Sequence, residues 1–477
     1  MAAVTAASLP PNQPTLGLIS TLRLGLFQGC LGCLAVIFAG LLNRVMLSEL
    51  AFPGLLVGGA LAFEQFVAPS RVLFGQISDA HPLGGRHRVP YIWLGTLLFC
   101  ALAVLSVPLI FQVGELLQAG QPLALTAGVA ALCGLFALYG LAVSLATTPY
   151  LALVIDRTTE QERPRAVGLI WCLLTVGIVV GAIAIGISLR GLDGVTDPRV
   201  LEPVLTAFMA RVAAVVLLLT LVATIGIDRS HSKAASTSGS TALRDDAITM
   251  RQAWALITSS RQVLVFFSFL VLFTLGLFLQ DPILESYGAE VFGMPIAATA
   301  SLNAVWGTGT LLGLLLAGLL IVPRLGKLAT ARLGCQLIAV SLLLLLLVGF
   351  SGRVSLLQLV MLLFGLAAGI GTNSALVLML DLTLPEAAGT FVGVWGLAQA
   401  LSRALGKVVG GGLLDLGRVL LQGAGLGGET FPPYALVLSV ELLVALAALW
   451  MLSRVNLRQF REDTGRSLSK VLALELG

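Results

Sequence analysis

Charged residues are scarce in this chain of 477 residues: Asp, Glu, Lys and Arg together make up 11% of it, against about 25% in soluble domains. The mean hydropathy is +0.99, and 57% of the residues are hydrophobic. Such a chain cannot cover itself with a charged surface, which excludes a soluble enzyme, a nucleic-acid-binding protein and a disordered protein. A membrane protein with many spans remains, because each span needs about 20 apolar residues and this length holds roughly a dozen.

Histidine is almost absent, since only His81, His87 and His231 occur, all in predicted loops. No histidine can therefore ligate a metal ion, or the magnesium of a tetrapyrrole, inside the predicted bundle. Such a ligand would have to be Glu, Gln, Asn, a backbone carbonyl or water. The sequence also lacks a Gly-Lys-Ser/Thr phosphate loop, a catalytic triad and a metal-ligand cluster. We therefore expect neither an ATP-driven pump nor an enzyme, and no catalytic or metal-binding residues.

Long apolar runs are what the sequence has in abundance. Transmembrane strands would be about ten residues long and would alternate in polarity, whereas these runs are longer and apolar all round. We therefore predict an all-α membrane protein with twelve transmembrane helices. The predicted spans are 24–45, 54–78, 90–112, 123–148, 165–189, 204–227, 262–281, 296–321, 329–350, 355–380, 388–415 and 433–453.

The longest polar stretch lies in the middle of the chain, is rich in Ser and Thr, and divides the spans into six plus six. Two halves of equal span number suggest a parallel internal repeat. The predicted domains are a leader 1–23, an N-terminal bundle 24–228, a linker 229–261, a C-terminal bundle 262–453 and a tail 454–477.

Basic residues predict the orientation of the bundle. If both termini are cytoplasmic, only five of the 28 Lys and Arg residues fall on the other side of the membrane, namely Arg44, Arg190, Arg199, Arg353 and Arg418. Cytoplasmic loops of membrane proteins carry an excess of Lys and Arg. We therefore predict a multi-pass protein with both termini in the cytoplasm.

Glycine is frequent, with 53 residues, and many lie four residues apart within a predicted span. Small residues at this spacing let helix backbones approach closely in lipid. We therefore predict close helix packing at these positions rather than a ligand site. The clearest pairs are Gly177/Gly181, Gly309/Gly313, Gly365/Gly369 and Gly406/Gly410.

The loop between the second and third spans carries Gly75, Asp79, Arg86 and Arg88. Glycine, an acid four residues later and then a basic pair resemble the signature of the major facilitator superfamily. Gly75 permits close helix contact, and Asp79 can pair with a helix N-terminus or a basic partner. The matching stretch of the second half, 318–327, keeps its glycines and Lys but lacks the acid, so a gating latch would be one-sided.

The ends of the fourth and tenth spans resemble each other, since Asp156 and Asp381 close them and a short loop with Glu follows each. Together with the loop above, they predict a gate on the cytoplasmic side. The predicted gating residues are Gly75, Asp79, Arg86, Arg88, Asp156, Arg163, Arg165, Asp381 and Glu386.

Charges inside a bilayer are costly and mark function by default. Glu64 lies near the middle of the second span, and Arg403 and Lys407 share one face of the eleventh. We predict a polar central cavity with Glu64 opposite Arg403; the alternative is a structural ion pair that locks the two halves. The predicted lining residues are Gln28, Asn43, Glu64, Arg71, Asn303, Asn373, Gln399, Arg403 and Lys407.

Several stretches resemble the PucC/LhaA family of facilitator-fold proteins. The most specific are Arg-Val-Pro-Tyr-Ile-Trp at 88–93 and Pro-Glu-Ala-Ala-Gly-Thr at 385–390. The resemblance covers nearly the whole chain apart from the leader and the linker, and the tail at 460–464 is similar to the cyanobacterial branch. The other matching stretches are 23–28, 42–46, 162–165 and 396–401.

This resemblance implies a membrane protein that delivers, holds or moves chlorophyll while light-harvesting or photosystem complexes are assembled. Chlorophyll would be cargo rather than a covalently bound cofactor, and the polar cavity residues would hold its magnesium or ring carbonyls. The implied partners are membrane lipid, nascent antenna or photosystem subunits and chlorophyll synthase, without nucleic acid. The implied location is the thylakoid or cytoplasmic membrane.

Two alternatives stay open. The chain would be a proton-coupled secondary transporter of a small solute if uptake follows an ion gradient and is lost in Glu64→Gln. It would be a ligand-free assembly scaffold if it co-purifies with antenna subunits but without pigment.

Overall fold

The computed structural model describes residues 17–81, 83, 86, 88–158, 163–192, 195, 197–227, 261–382, 388–423, 425 and 428–456. Over these ranges the chain is almost wholly helical, and the isolated bridge between Leu83 and Arg86 is the one extended pairing in them. The predicted all-α fold class is confirmed.

The described residues of the first half form seven α-helices. The α-helical part of α1 ends at Val36, and two π-helical stretches follow it, Ile37–Leu42 and Val45–Glu49. The helices are α1 Leu18–Val36, α2 Gly54–Phe66, α3 Ser70–Ala80, α4 Val89–Ala119, α5 Pro122–Asp156, α6 Arg163–Ser188 and α7 Pro198–Thr224.

The second half contains eight helices over the described residues. Helix α10 passes through a π-helical stretch, Ala317–Ile321, into the short α11. The helices are α8 Arg261–Phe278, α9 Leu284–Phe292, α10 Ile296–Leu316, α11 Val322–Leu325, α12 Lys327–Val348, α13 Val354–Leu382, α14 Ala388–Gly423 and α15 Phe431–Ser453.

Nine helical stretches of the described chain are long and apolar enough to cross a membrane. The three remaining predicted spans are the second, seventh and eleventh, and each differs for a physical reason. Prolines lack the N–H that continues a helix. The second span therefore breaks before α3 at Pro69, and α8, the helix of the seventh span, ends at Phe278, four residues before Pro282. The eleventh, α14, is one long helix that carries Arg403 and Lys407.

The predicted glycine pairs pack as expected. Gly309 and Gly313 of α10 lie against Gly365 and Gly369 of α13, where an added Cβ would stand 2.1 to 2.4 Å from a backbone carbonyl oxygen of the facing helix. The prediction of close packing is confirmed there.

Two helix pairs join the halves: α2 packs against α14, and α6 packs against α10. We call these contacts the α2–α14 seam and the α6–α10 seam. We call the end of the bundle at which α1 begins and α15 ends the terminal face, and the other end the opposite face. The α2–α14 seam places charged residues of both halves side by side, which positions the site described next.

Candidate functional site

Five charged side chains gather where α2 and α3, the break between α8 and α9, and α14 meet; we call them the central cluster. Glu64 interacts electrostatically with Arg71, and Asp281 interacts with Lys407. Arg403 interacts with three members, Glu64, Arg71 and Asp281. The three cations of this cluster can donate to a ligand that presents anionic or carbonyl oxygens.

The break in the seventh span brings Asp281 into the cluster. Helix α8 ends at Phe278, and Pro282 prevents its continuation before α9 begins at Leu284. Irregular backbone at membrane depth is tolerated only where it is buried in protein or lines a cavity. The break therefore holds polar residues at the contact between the halves.

An aromatic platform lies beside the cluster. The guanidinium of Arg403 stands 4.3 Å from the ring centroid of Phe278, and that ring meets Trp306 edge to face at 6.4 Å. Arg403 Nε and Trp306 Nε1 are buried and have no hydrogen-bond partner in the described part of the chain. Buried donors without partners are costly, and a ligand oxygen or a water would satisfy them.

Glu64 and Arg403, placed opposite each other by the sequence prediction, do interact electrostatically. No salt bridge of 4.0 Å or less joins them within the described ranges. The two groups therefore interact at a longer range than a salt bridge.

The π-helical part of the first span binds the second half near the opposite face. Asn43, a predicted cavity residue, is fully buried, and its Nδ2 donates to the carbonyl oxygen of Pro282 at 2.7 Å. Arg44 donates to Thr299 at 2.9 Å and forms a salt bridge with Glu49 at 3.4 Å. Asn43 thus contributes a bond between the halves at the helix break.

Two carboxylates add further bonds between the halves. Asp415 of α14 accepts from the backbone N–H groups of Gly54 and Leu55, each at 2.7 Å, and so caps the N-terminus of α2. Glu290 of α9 accepts from Ser48 of the first half at 3.2 Å and, within the second half, from Arg418 at 3.1 Å. The opposite face is therefore held closed by polar contacts.

Asn303, a predicted cavity residue, donates to Glu285 within the second half. Glu285 is 2% exposed, and its other carboxylate oxygen has no hydrogen-bond partner among the described residues. Sequence reasoning missed Glu285 because the predicted seventh span ended at residue 281, whereas the helix resumes after the proline.

Glu441 is a second acid that sequence reasoning missed. It is fully buried in α15, and neither carboxylate oxygen has a hydrogen-bond partner among the described residues. It interacts with Asp281, and the backbone amides of Leu279 and Gln280 approach it without reaching hydrogen-bond geometry. The sequence could have revealed this acid, because Glu441 is a charged residue inside the predicted span 433–453.

These acids do not form a metal centre in the described ranges, where no group of three His, Cys, Asp or Glu residues is arranged to hold an ion.

The remaining predicted cavity residues divide by location. Gln28 is buried in α1, and Gln399 is half-buried in α14. Asn373 donates to the carbonyl oxygen of Leu314 at 3.2 Å, a contact between α13 and α10 inside the second half. The structure thus brings Glu64, Arg71, Arg403 and Lys407 together and gives Asn43, Asn303 and Asn373 other contacts.

The predicted gating motif is described in part. Gly75 faces Thr148 of α5, with 3.4 Å between its position for a Cβ and the threonine methyl. Arg88 donates to Ser78 at 2.9 Å, and Arg86 is exposed. The side chains of Asp79, Asp156, Arg163, Arg165 and Asp381, and all of Glu386, lie outside the described residues.

Comparison with known proteins places this architecture. A family model described as PUCC protein matches residues 41–460. Protein PucC of Rhodovulum sulfidophilum is 31% identical over 83% of this chain and 85% of its own length. An uncharacterized protein in the puhA-bchM intergenic region of Rhodobacter capsulatus is 32% identical over 84% of this chain and 81% of its own length. The bacteriochlorophyll synthase 44.5 kDa chain of Rhodobacter capsulatus is 30% identical over 90% of this chain and 95% of its own length.

Solved transporters share the fold. A bacterial homologue of the human lysosomal transporter Spinster, inward-facing and occupied, has a TM-score of 0.66 with 14% identity over 94% of this chain and 99% of its own. The D-xylose-proton symporter has a TM-score of 0.63 with 16% identity over 91% of this chain and 96% of its own. At such identities the likeness concerns the fold alone. The chain therefore belongs to the PUCC protein family and has the fold of the major facilitator superfamily.

Proposed function

We propose that this protein holds a chlorophyll-type pigment and passes it on during assembly of a light-harvesting or photosystem complex. The observation that carries the proposal is the platform of Phe278 and Trp306 beside Arg403. A tetrapyrrole is flat and apolar, and its edge bears carbonyl oxygens. Ring stacking and the two donors without partners, Arg403 Nε and Trp306 Nε1, suit those two features.

The magnesium of the pigment needs a different partner. Magnesium prefers oxygen ligands, and the carboxylates of Glu64 and Asp281 lie in the central cluster with Arg403. A single carboxylate, or a water held by it, would bind the metal more weakly than a dedicated cage of ligands. This chemistry favours a pigment that is held and released rather than kept.

Relatives support the pigment class. One relative is named as a chain of bacteriochlorophyll synthase, and another by its position in the puhA-bchM intergenic region. On this proposal nascent antenna or photosystem subunits and chlorophyll synthase are partners of the chain. The thylakoid or cytoplasmic membrane, with both termini cytoplasmic, is its location.

The first experiment is to purify the protein from its native membrane in mild detergent, then record an absorption spectrum and identify bound molecules and subunits by mass spectrometry. We expect pigment in near-stoichiometric amount together with antenna or photosystem subunits. A colourless preparation without such subunits would overturn the proposal.

Substitutions then locate the pigment. Arg403→Gln removes the charged donor proposed for a pigment oxygen, a bond worth about 1.5 to 3 kcal/mol, and should lower pigment affinity at least tenfold. Phe278→Leu removes the ring on which that guanidinium rests and should act in the same direction. Arg454→Gln is the matched control, because Arg454 stands 4.5 Å from the Trp450 ring at the terminal face, away from the cluster. Equal pigment loss in the control would contradict the placement.

A second candidate, proton-coupled transport of a small solute, is favoured by the buried acids Glu285 and Glu441. It predicts solute uptake into proteoliposomes driven by a proton gradient. Uptake that persists in both Glu64→Gln and Glu441→Gln would count against it.

A further inference from the structure

A groove open on the side of the bundle lies between α1, α6 and α7, wholly within the first half. It encloses about 370 Å³. Its lining is apolar except for Ser188 and Arg211. Because α1, α6 and α7 each carry none of the central cluster, the groove is a separate feature from that cluster.

Close contact of two helices creates the floor of the groove. A Cβ on Gly177 of α6 would stand 1.9 Å from the carbonyl oxygen of Gly29 of α1, so the two backbones touch there. Larger side chains rise on either side, including Val180 of α6 and Val215 of α7. Small residues at the floor and branched residues at the rim give the groove an elongated shape.

Arg211 is the unusual member of this lining. It lies 13 residues from each end of α7, Pro198–Thr224, which is about 20 Å along the helix in either direction. The predicted span 204–227 also contains Arg211, and an Arg within the hydrocarbon layer is costly without an oxygen partner.

The guanidinium of Arg211 is only partly satisfied. Its Nε donates to the carbonyl oxygen of Ala207 one turn away at 3.2 Å. Its two terminal nitrogens have no hydrogen-bond partner in the part of the chain that the structure describes. A cation with free donors at this depth needs an oxygen that is itself embedded in the membrane.

Depth decides the chemistry of that oxygen. The bilayer is about 40 to 45 Å thick with its headgroup regions, so phospholipid phosphates lie about 20 Å from its centre. A pigment ester differs, because its keto and ester carbonyls sit on an apolar body that carries an isoprenoid chain. We infer that the groove is a second, lipid-facing pigment site, in which the isoprenoid chain lies along α7 and Arg211 donates to a carbonyl oxygen.

This inference rests on the proposed function and gives the pigment a waiting position outside the central cluster. The groove extends along α6 from Leu173 to Ser188, which is roughly 22 Å. That length accommodates an extended chain rather than a globular solute.

The test uses the full chain in pigment-free nanodiscs, titrated with chlorophyll a, with bound pigment per chain and its induced circular dichroism as readouts. Val180→Trp fills the groove. Ile183→Trp is the matched control, because Val180 and Ile183 of α6 are each 54% exposed and Ile183 does not line the groove. Arg211→Leu removes the donors, whereas Arg211→Lys keeps a cation.

We expect Val180→Trp and Arg211→Leu each to bind one pigment fewer per chain than the wild type, with Ile183→Trp and Arg211→Lys unchanged. Arg403→Gln should bind the other pigment at least tenfold more weakly and keep the dichroism of the first. If both groove variants bind like the wild type while Arg403→Gln loses pigment, the inference fails and the proposed function stands.

Two further outcomes are decisive. If the wild type binds no chlorophyll, the inference and the proposed function fail together. If raising the phosphatidylglycerol content of the nanodisc lowers pigment binding in the wild type but not in Arg211→Leu, the groove takes phospholipid, and the inference is overturned.

Discussion

The two seams that join the halves differ in how closely the backbones approach. In the α2–α14 seam a Cβ on Gly58 would stand 2.0 Å from the carbonyl oxygen of Lys407, and a Cβ on Gly411 would stand 2.0 Å from that of Gly54. Backbone meets backbone along this seam, so neither helix can move without the other.

The α6–α10 seam is looser. A Cβ on Gly307 of α10 would find only the side chains of Ile178 and Thr175, at 3.6 and 3.7 Å. A Cβ on Gly186 would stand 3.5 Å from the carbonyl oxygen of Ala297. These are ordinary van der Waals distances, and flexible side chains fill the contact.

The difference assigns different roles to the two seams. The tight seam carries the central cluster and the bond from Asp415 to α2, so a relative motion of the halves there would break charged hydrogen bonds. The loose seam has room for side chains to slide. We therefore expect the halves to pivot about α2 and α14.

The largest expected effect comes from one added methyl group in each seam. Gly58→Ala places its Cβ against a backbone carbonyl, which forces α2 and α14 apart and should cost about 1 to 3 kcal/mol. Gly307→Ala meets only movable side chains and gains helix propensity of up to about 1 kcal/mol. Thermal unfolding in detergent, followed by size-exclusion fluorescence, measures both.

Equal destabilisation by the two substitutions would contradict the distinction between the seams. So would a Gly58→Ala variant as stable as the wild type, because the backbone contact would then have to relax without cost.

The second effect concerns the cap that crosses the tight seam. Asp415→Asn keeps one acceptor but loses the charge and one of two bonds to the N-terminus of α2, which should cost about 1 kcal/mol. Asp197→Asn is the control, because Asp197 caps α7 from within one half by accepting from Arg199 N–H at 2.9 Å. Both variants should unfold more easily.

Cross-linking separates the two caps. Leu55 and Gly412 face each other across the seam, so cysteines introduced there in a cysteine-free background report its opening. The cross-linking rate should change in Asp415→Asn and stay constant in Asp197→Asn. An unchanged rate in both would mean that the cap does not hold the seam.

The fold could be predicted because its signals are local. Apolar length and small-residue spacing are read along one helix, and the pairs Gly309/Gly313 and Gly365/Gly369 meet as the spacing indicated. Pro282 was visible as well, but the helix that resumes after it was not expected, and Glu285 was lost with it.

The site was harder to predict, because the position of a polar residue within a span does not show toward which neighbouring helix its side chain points. Asn43 and Asn373 were correctly recognised as polar residues inside spans, yet each donates its amide to a backbone carbonyl of a neighbouring helix. Asp415 stands at the end of a predicted span, and only the tertiary structure reveals its partner in α2. Arg403 and Lys407 were predicted together because they lie four residues apart and therefore share one face of the same helix.

A smaller effect is expected from the half-exposed ion pair behind the tight seam. Arg418 and Glu290 lie 3.1 Å apart with side chains 30% and 25% exposed. Arg418→Gln should therefore cost at most about 1 kcal/mol, and the difference from the wild type should shrink as salt is raised. A loss that is large and independent of salt would show that this pair within the second half is worth more than a partly exposed ion pair usually is.

The smallest effect concerns the turn that leads into the tight seam. Ala51 has a φ of +52°, a left-handed conformation that costs a residue with a Cβ about 1 to 2 kcal/mol. Ala51→Gly removes that strain but adds chain entropy to the unfolded state, about 0.5 to 1 kcal/mol, so a net gain of about 0.5 kcal/mol is expected. Gly120 has a φ of +65° with open space around it, and Gly120→Ala, remote from both seams, should change unfolding in the opposite direction. If both variants are destabilised, Ala51 is held by contacts of the seam and not only by its backbone angle.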